Sequence, residues 1–594
     1  MSRCKPLTIA VVVLSAALAM ARPGWCGEAA LVRLRGADFV GGAAELFGAA
    51  KYGVSRVNYI YAAPTGSRAK MVASFEAPAW PQERVLLWVR GRLDDRGTPC
   101  PLRITLNGVV VFEGPNAFAH DRWERKSFAL PAEALRQRRN EVAFANVSPE
   151  GVVGMPPWFM LADCAIGTAG YDPVAPAPIE DDFHVTLPEE VRPLPEPLPP
   201  GRTEPGFPIR GMKGWLWRPA QYLAEIPVLA AYRMNFLMNC YGSMHDIDHY
   251  PWGSPQCNRW WEPLPEEKKR AYAEVVRSCQ EHGLRFCFSL NPNLGATRIV
   301  RYDSPEDLEA LWQHYAWMQS LGVQWFNVQF DDISQGIDAA GQARLTNALL
   351  QRLRAQDPEA QMIFCPTFYW GNGEEPAARA YLEVLARELH PDVYVFWTGD
   401  GVVTKRITRA AAESYRRAVG HRLFIWDNYP VNDGNPTLHL GPVTGRDTDL
   451  CAVADGYMCN PLSPQNEINR LPLLTIADYA YNPWGYDPAR SIGQAIVHLA
   501  ETPEQRRVLK DLVELYPGML IYGQGTNWNP LISRFAEITS EPHSRFLADL
   551  YLRHVASVAG RLKRNFPDRF ADARRTLEGN LAQLHAIYRD TYGE

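Results

Sequence analysis

The chain has 594 residues, too many for one compact core, so two to four domains are expected. A hydrophobic content of 46% and a charged content of 21% are those of a globular protein. The formal charge of −5, with no basic block anywhere, argues against nucleic acid as a partner.

The N-terminus, "MSRCKPLTIAVVVLSAALAMARPGWCGEAA", places Arg3 and Lys5 before an apolar run from Leu7 to Met20, with small residues at Ala19 and Ala21. This is a signal-peptide pattern, too short for a membrane span. Residues 1–21 are expected to be removed and the protein to be secreted or periplasmic. A lipid anchor at Cys26 is disfavoured, because Trp25 stands where a small residue is wanted. The remaining Cys residues are scattered, with no CxxC pair and no metal-type spacing. Cys240, Cys287, Cys365 and Cys459 lie in apolar strand-like runs and suit buried, small hydrophobes.

Residues 28–170 read as a β-sandwich. "RVLLWVRGRL" (84–93) and "PLRITLNGVVVFEG" (101–114) are β-branched and apolar, the second split by the hairpin signal Asn107-Gly108. "NEVAFANV" (140–147) and "WFMLADCAIG" (158–167) continue the series. With Trp123 this text resembles the jelly-roll modules attached to secreted glycosidases, in a carbohydrate-binding or a purely structural role. Residues 171–208 are rich in Pro and poor in large apolar side chains, as in an extended, semi-rigid linker.

From residue 209 to about 500 strands and helices alternate. The strand candidates are "IRGMKG" (209–214), "MNFLMNCY" (234–241), "RFCFSLNP" (285–292) and "WFNVQFDD" (325–332). "QMIFCPTFY" (361–369), "DVYVFWTG" (392–399), "RLFIWDNYP" (422–430) and "DGYMCNP" (455–461) follow. Eight apolar strands with intervening helices predict an α/β fold, the (β/α)8 TIM barrel. The seventh helix is poorly marked, since "GPVTGRDTDLCAVA" has only short helical potential. Residues 501–594 form a helical C-terminal region.

Active sites of such barrels assemble at the C-terminal strand ends. Those ends here are Gly214, Tyr241, Asn291, Asp331-Asp332, Tyr369, Trp397-Thr398, Trp426-Asp427-Asn428 and Asn460. Carboxylates, amides, hydroxyls and indoles in one ring suit a sugar, and the 18 Trp and 25 Tyr of the chain offer stacking faces. Paired carboxylates serve glycoside cleavage as proton donor and as stabiliser of the oxocarbenium-like centre. Adjacent residues on one strand end fit best if the substrate's own 2-acetamido oxygen attacks, giving an oxazoline. One Asp then polarises the acetamido N–H while its neighbour moves the proton. Taken alone, an Asp pair also serves as a helix cap.

"FDDI" (330–333), "CPTFY" (365–369), "FWTGDGVV" (396–403), "WDNYPVND" (426–433), "LHLGPVTGR" (438–446) and "YMCNPLS" (457–463) together resemble the barrel of glycoside hydrolase family 84. That family comprises retaining β-N-acetylglucosaminidases, including O-GlcNAcases and hyaluronidase-like enzymes. The resemblance implies that Asp331 polarises the acetamido group and that Asp332 is the general acid/base. It implies that Tyr369 hydrogen-bonds near the acetamido group and that Thr398 and Trp426 wall its pocket. Asn428, Asp433 and Asn460 would hold sugar hydroxyls, and Gly214 would contact sugar through backbone.

Three positions depart from the pattern: Met244 stands where the family has a Lys, Leu216 where it has a Tyr, and Phe368 where it has an acid. The first removes a hydroxyl contact, which Lys213, His245 or Asp246 could replace. "HDIDH" (245–249) offers metal-ligand types, but no Glu or Cys completes a set, and the chemistry needs neither metal nor cofactor. The expected partner is an N-acetylglucosamine-containing glycan or glycoconjugate. The alternatives are a carbohydrate-binding protein on a catalytically degenerate barrel, or a hydrolase for a different sugar.

Overall fold

The computed structural model describes residues 31–43, 57–168 and 183–593, with short breaks at 78–79, 82–83, 95, 117, 121–122, 464–466, 523–524 and 540–544. The signal pattern over 1–21 and the first part of the Pro-rich stretch lie outside the described residues.

Buried and less buried residues alternate along Lys70–Ala77 and Val85–Leu93, so each strand has one apolar face to hide. Val32–Arg35, Phe159–Thr168, Val85–Leu93 and Glu124–Ala129 form one antiparallel sheet, with Asn58–Ile60 also paired to Phe159–Leu161. Val40–Gly41, Lys70–Ala77, Arg138–Asn146, Leu102–Leu106 and Val109–Gly114 form the other. Leu34, Leu87, Val89 and Ile166 of the first meet Met71, Ile104 and Phe144 of the second in one core, the expected β-sandwich. Asn107 and Gly108 take φ of 52° and 83°, the left-handed pair that a tight two-residue hairpin requires.

Eight parallel strands then close on themselves. They are β1 (Ile209–Lys213), β2 (Phe236–Met238), β3 (Arg285–Leu290), β4 (Trp325–Gln329), β5 (Gln361–Cys365), β6 (Tyr394–Trp397), β7 (Arg422–Pro430) and β8 (Gly456–Asn460), with β8 paired back to β1. Alternation divides their side chains. Ile209, Phe236, Met238, Cys287, Ile363, Cys365, Tyr394, Phe396, Phe424 and Met458 fill the barrel axis. Met212, Leu237, Phe286, Phe326, Val328, Phe364, Val395 and Ile425 pack outward against the helices. Those helices start where capping chemistry directs: the Ser304, Asp338 and Thr408 side chains accept from the backbone N–H three residues on.

The weakly marked seventh helix is replaced by a long loop after β7 with one 3-10 turn, Leu450–Ala452. The C-terminal region holds that loop in place. Leu440 N–H donates to the Tyr516 carbonyl at 2.9 Å, and the Thr437 hydroxyl donates to the Trp528 carbonyl at 2.9 Å. A Cβ on Gly441 would lie 1.7 Å from the Pro517 carbonyl oxygen, so only glycine permits this approach. Leu438 and Leu440 join a second core with Leu512, Phe535, Val555 and Leu577 of the C-terminal helices. The Pro-rich stretch is docked where it is described: the backbone N–H groups of Val185, Arg192 and Glu196 donate to Glu514, Gln494 and Asp478 at 2.8, 2.9 and 2.7 Å.

Parity sends Asp427 of β7 outward, where Arg446 grips both its oxygens at 2.7 and 2.6 Å and the Tyr457 hydroxyl also donates to it. Both charges of this pair are almost completely buried. Arg446→Met would leave the Asp427 carboxylate buried without a counter-charge, an expected loss of about 3–5 kcal/mol of stability. Guanidinium denaturation of the two proteins checks this, and an unchanged midpoint would contradict it.

Candidate active site

On β4, Trp325, Asn327 and Gln329 share the inward parity while Phe326, Val328 and Phe330 face the helices. Asp331 continues the inward series. Pleating alone would turn Asp332 away. Instead its backbone takes φ of +55°, so the chain reverses at the strand end and both carboxylates serve the mouth. A non-glycine residue in that left-handed region costs about 1–2 kcal/mol.

The two acids sit in different surroundings. Asp331 is buried, 2% exposed, and accepts from the Tyr241 hydroxyl at 2.9 Å and from Asn291 Nδ2 at 3.0 Å. Asn291 also donates to the Asp331 backbone carbonyl at 3.1 Å. Burial and then the adjacent Asp332 charge push Asp331 up to about 7, against the lowering effects of Lys213 and Tyr241. Asp332 is exposed, and its Oδ1 accepts from the Tyr369 hydroxyl at 2.8 Å. Burial raises both the Tyr241 and Tyr369 hydroxyls far above their ordinary value, so both remain donors. Tyr369 stacks on Trp426 with ring centroids 6.2 Å apart.

The other residues singled out from the sequence fall into four places. Thr398 lies beside Tyr369, its N–H donating to the Tyr369 carbonyl at 3.0 Å and its hydroxyl to the Gly401 carbonyl at 2.8 Å. Asn428 and Asn460 form a pair on β7 and β8: Asn460 Nδ2 donates to Asn428 Oδ1 at 2.9 Å, and Asn428 Nδ2 donates to the Val402 carbonyl at 2.8 Å. Asp433 lies exposed at the outer rim and accepts from the Thr526 hydroxyl at 2.6 Å. Gly214 follows β1, and its carbonyl is turned into the wall, accepting from the Trp217 backbone N–H at 3.2 Å and the Tyr222 hydroxyl at 3.1 Å. The Trp217 ring is 2.2 Å from where a Cβ would stand, so the position admits only glycine.

Met244 is packed in the shell between barrel and helices and presents no donor. Of the three candidate replacements, His245 stacks on Trp252 at 5.3 Å, and burial drives its imidazole down to about 3. Asp246 bonds His249 at 2.8 Å. Lys213 alone lies beside Asp331, buried beneath the strand ends with its Nζ 3.9 Å from the Trp426 ring centroid. Phe368 points away and packs on Tyr381. Among the described residues, no group of three or more His, Cys, Asp or Glu could hold a metal ion, and no helix is long and apolar enough to cross a membrane.

Three residues touch or adjoin the two acids, and a fourth touches Asp433, without a role assigned from the sequence. Tyr241 and Asn291 were visible as polar strand ends. Gln329 was visible as a polar residue at inward parity in an apolar strand. Thr526 carried no signal, because it lies 93 positions from Asp433.

A family model described as NAGidase, beta-N-acetylglucosaminidase, matches residues 209–514. The protein O-GlcNAcases of Rattus norvegicus and Mus musculus are each 28% identical over 233 residues, 37% of this chain. That stretch is 25% of each relative, so the chain spans about a quarter of the length of the curated relatives it matches. The solved structure of CpGH84B superposes with a TM-score of 0.53 at 20% identity, covering 73% of this chain and 70% of its own. A mutant O-GlcNAc hydrolase of Thermobaculum terrenum superposes with a TM-score of 0.52 at 23% identity, covering 64% and 82%. These two likenesses concern the fold.

The raised Asp331 acid has a consequence for stability. Between about pH 4 and about pH 7 the folded Asp331–Asp332 pair holds a proton that the unfolded chain has released, so the pair's contribution to stability falls as pH rises. Asp331→Asn removes that loss. In thermal unfolding the variant should gain on the wild type as pH rises across this window, and parallel curves would rule out the buried acid as the cause.

Proposed function

The chain belongs to the β-N-acetylglucosaminidase family, glycoside hydrolase family 84, and carries its barrel; on that premise we propose that it is a retaining exo-β-N-acetylglucosaminidase using substrate-assisted catalysis. The observation that carries this reading is the division between neighbouring acids, Asp331 buried among donors and Asp332 open to the mouth.

In the proposed reaction the 2-acetamido carbonyl oxygen of the substrate attacks C1. Asp332 gives its proton to the glycosidic oxygen, the C1–O bond breaks and the aglycone leaves as an alcohol. Asp331, with its oxygens fixed by Tyr241 and Asn291, accepts the acetamido N–H and favours closure of the oxazoline. Asp332, now a carboxylate, takes a proton from water as the water oxygen attacks C1. The ring opens, and two inversions leave the β configuration retained. Tyr369 holds Asp332 in line between the steps. Trp426 and Thr398 wall the acetamido pocket, while Asn428, Asn460 and Asp433 receive hydroxyls. The proposal includes export, on the pattern at residues 1–21.

The test is a panel of aryl glycosides with the wild type and Asp332→Ala. Release is expected from the N-acetylglucosaminide, and the variant should lose about 10²–10⁴-fold on poor leaving groups but far less on activated ones. A thiazoline mimic of the oxazoline should inhibit. No release from the N-acetylglucosaminide would favour a sugar-binding barrel or another glycoside, and indifference to the thiazoline would exclude the acetamido nucleophile. N-terminal sequencing of the mature protein checks export: a start at Met1 would overturn it.

A further inference from the structure

Lys213 ends β1 at the inward parity of Ile209 and Gly211, and its side chain is completely buried, 0% exposed. Its Nζ lies 3.9 Å from the Trp426 ring centroid and 5.1 Å from those of Trp215 and Tyr241. Three aromatic faces attract the charge. They do not satisfy three N–H donors, and Nζ has no hydrogen-bond partner among the described residues. Asp331, whose acid feels this charge, has its oxygens engaged by Tyr241 and Asn291. Two other cations of the barrel are committed elsewhere: Lys268 donates to the His245 carbonyl at 2.6 Å, and Arg446 to Asp427.

A buried ammonium without an acceptor is costly. Other polar atoms at inward positions of the same strand ends share the condition: the Gln329 amide, Trp426 Nε1 and Asn460 Oδ1. Such a convergence of unpaired donors and acceptors is what a polar ligand would complete. Two carboxylates already face the mouth, which disfavours an anionic substituent. Neutral hydroxyl oxygens, as on a saccharide, are the acceptors that fit.

We infer that Lys213 is a specificity-determining residue of the saccharide site, its ammonium donating to hydroxyl oxygens of the sugar held above Asp331 and Asp332. This rests on the glycosidase reading above and adds a contact from β1. It also explains how a site without a donor at Met244 retains a cation.

Lys213→Met keeps an unbranched side chain only one atom shorter and removes its charge. Because the wild-type ammonium lacks a partner, the variant should melt no lower than the wild type, while kcat/KM on an aryl N-acetylglucosaminide falls by about 10- to 100-fold. The 3-, 4- and 6-deoxy analogues of that substrate locate the contact. At one position at least, the wild type should discriminate against the deoxy sugar by about tenfold, and Lys213→Met should not. Retained kcat/KM, or a loss accompanied by unchanged deoxy discrimination and a lower melting temperature, would overturn the inference. Lys213→Gln, run in parallel, separates misfolding from lost charge. Calorimetric titration with N-acetylglucosamine separates this inference from the function it rests on. If the wild type does not hydrolyse but binds the sugar and Lys213→Met does not, the contact stands and the hydrolase reading fails. If the wild type neither hydrolyses nor binds, both fail.

Discussion

A pleated strand turns consecutive side chains to opposite faces, yet this chain brings two consecutive carboxylates to one opening. The left-handed turn at Asp332 resolves the conflict, and much of the site is arranged around it. Asp331 stays on the barrel axis and must be supported in a dry bed. Support arrives from several strands: Asn291 after β3, Tyr241 after β2 and Lys213 from β1. Asp332, turned outward and back, is met by Tyr369 after β5. A shift of one residue in the register of any of these parallel strands would reverse which side chain faces the axis.

The same residue type thus acquires two characters from position alone. Burial and a like charge raise one acid, while exposure and a phenol donor define the other. The aromatic residues work in both registers. Trp426 stacks with Tyr369 and also lies 3.9 Å from the Lys213 ammonium. Asp427, one residue along, belongs to a separate electrostatic unit with Arg446 that fixes the base of the β7 loop.

The barrel was legible because strands buried on both faces read as apolar runs, and because helix caps and loop lengths separate them. The weak seventh helix was legible for the same reason in reverse: the text lacks a helical stripe, and the fold contains a loop there. The carboxylates and Tyr369 stood out as polar strand ends. Which neighbour would point inward was recoverable only by counting parity, which marks Gln329 and Lys213 as inward and Asp427 as outward. What no local pattern reveals is contact between distant segments. Thr526 reaching Asp433 and Tyr516 reaching Leu440 depend on how the C-terminal helices dock, and docking leaves no periodic trace. The turn of the Gly214 carbonyl into the wall belongs to the same class, set by its contacts with Trp217 and Tyr222.

The clamp on the β7 loop has a further meaning when set beside the extent of the family likeness. The shared region ends at residue 514, just short of Tyr516, Pro517, Thr526 and Trp528. The paired acids and the phenols that meet them lie in the common stretch, but the residues that hold the β7 loop and Asp433 lie beyond it. Such an arrangement lets a lineage refit the clamp to a differently shaped molecule while the acids, the phenols and the strand register beneath it stay untouched.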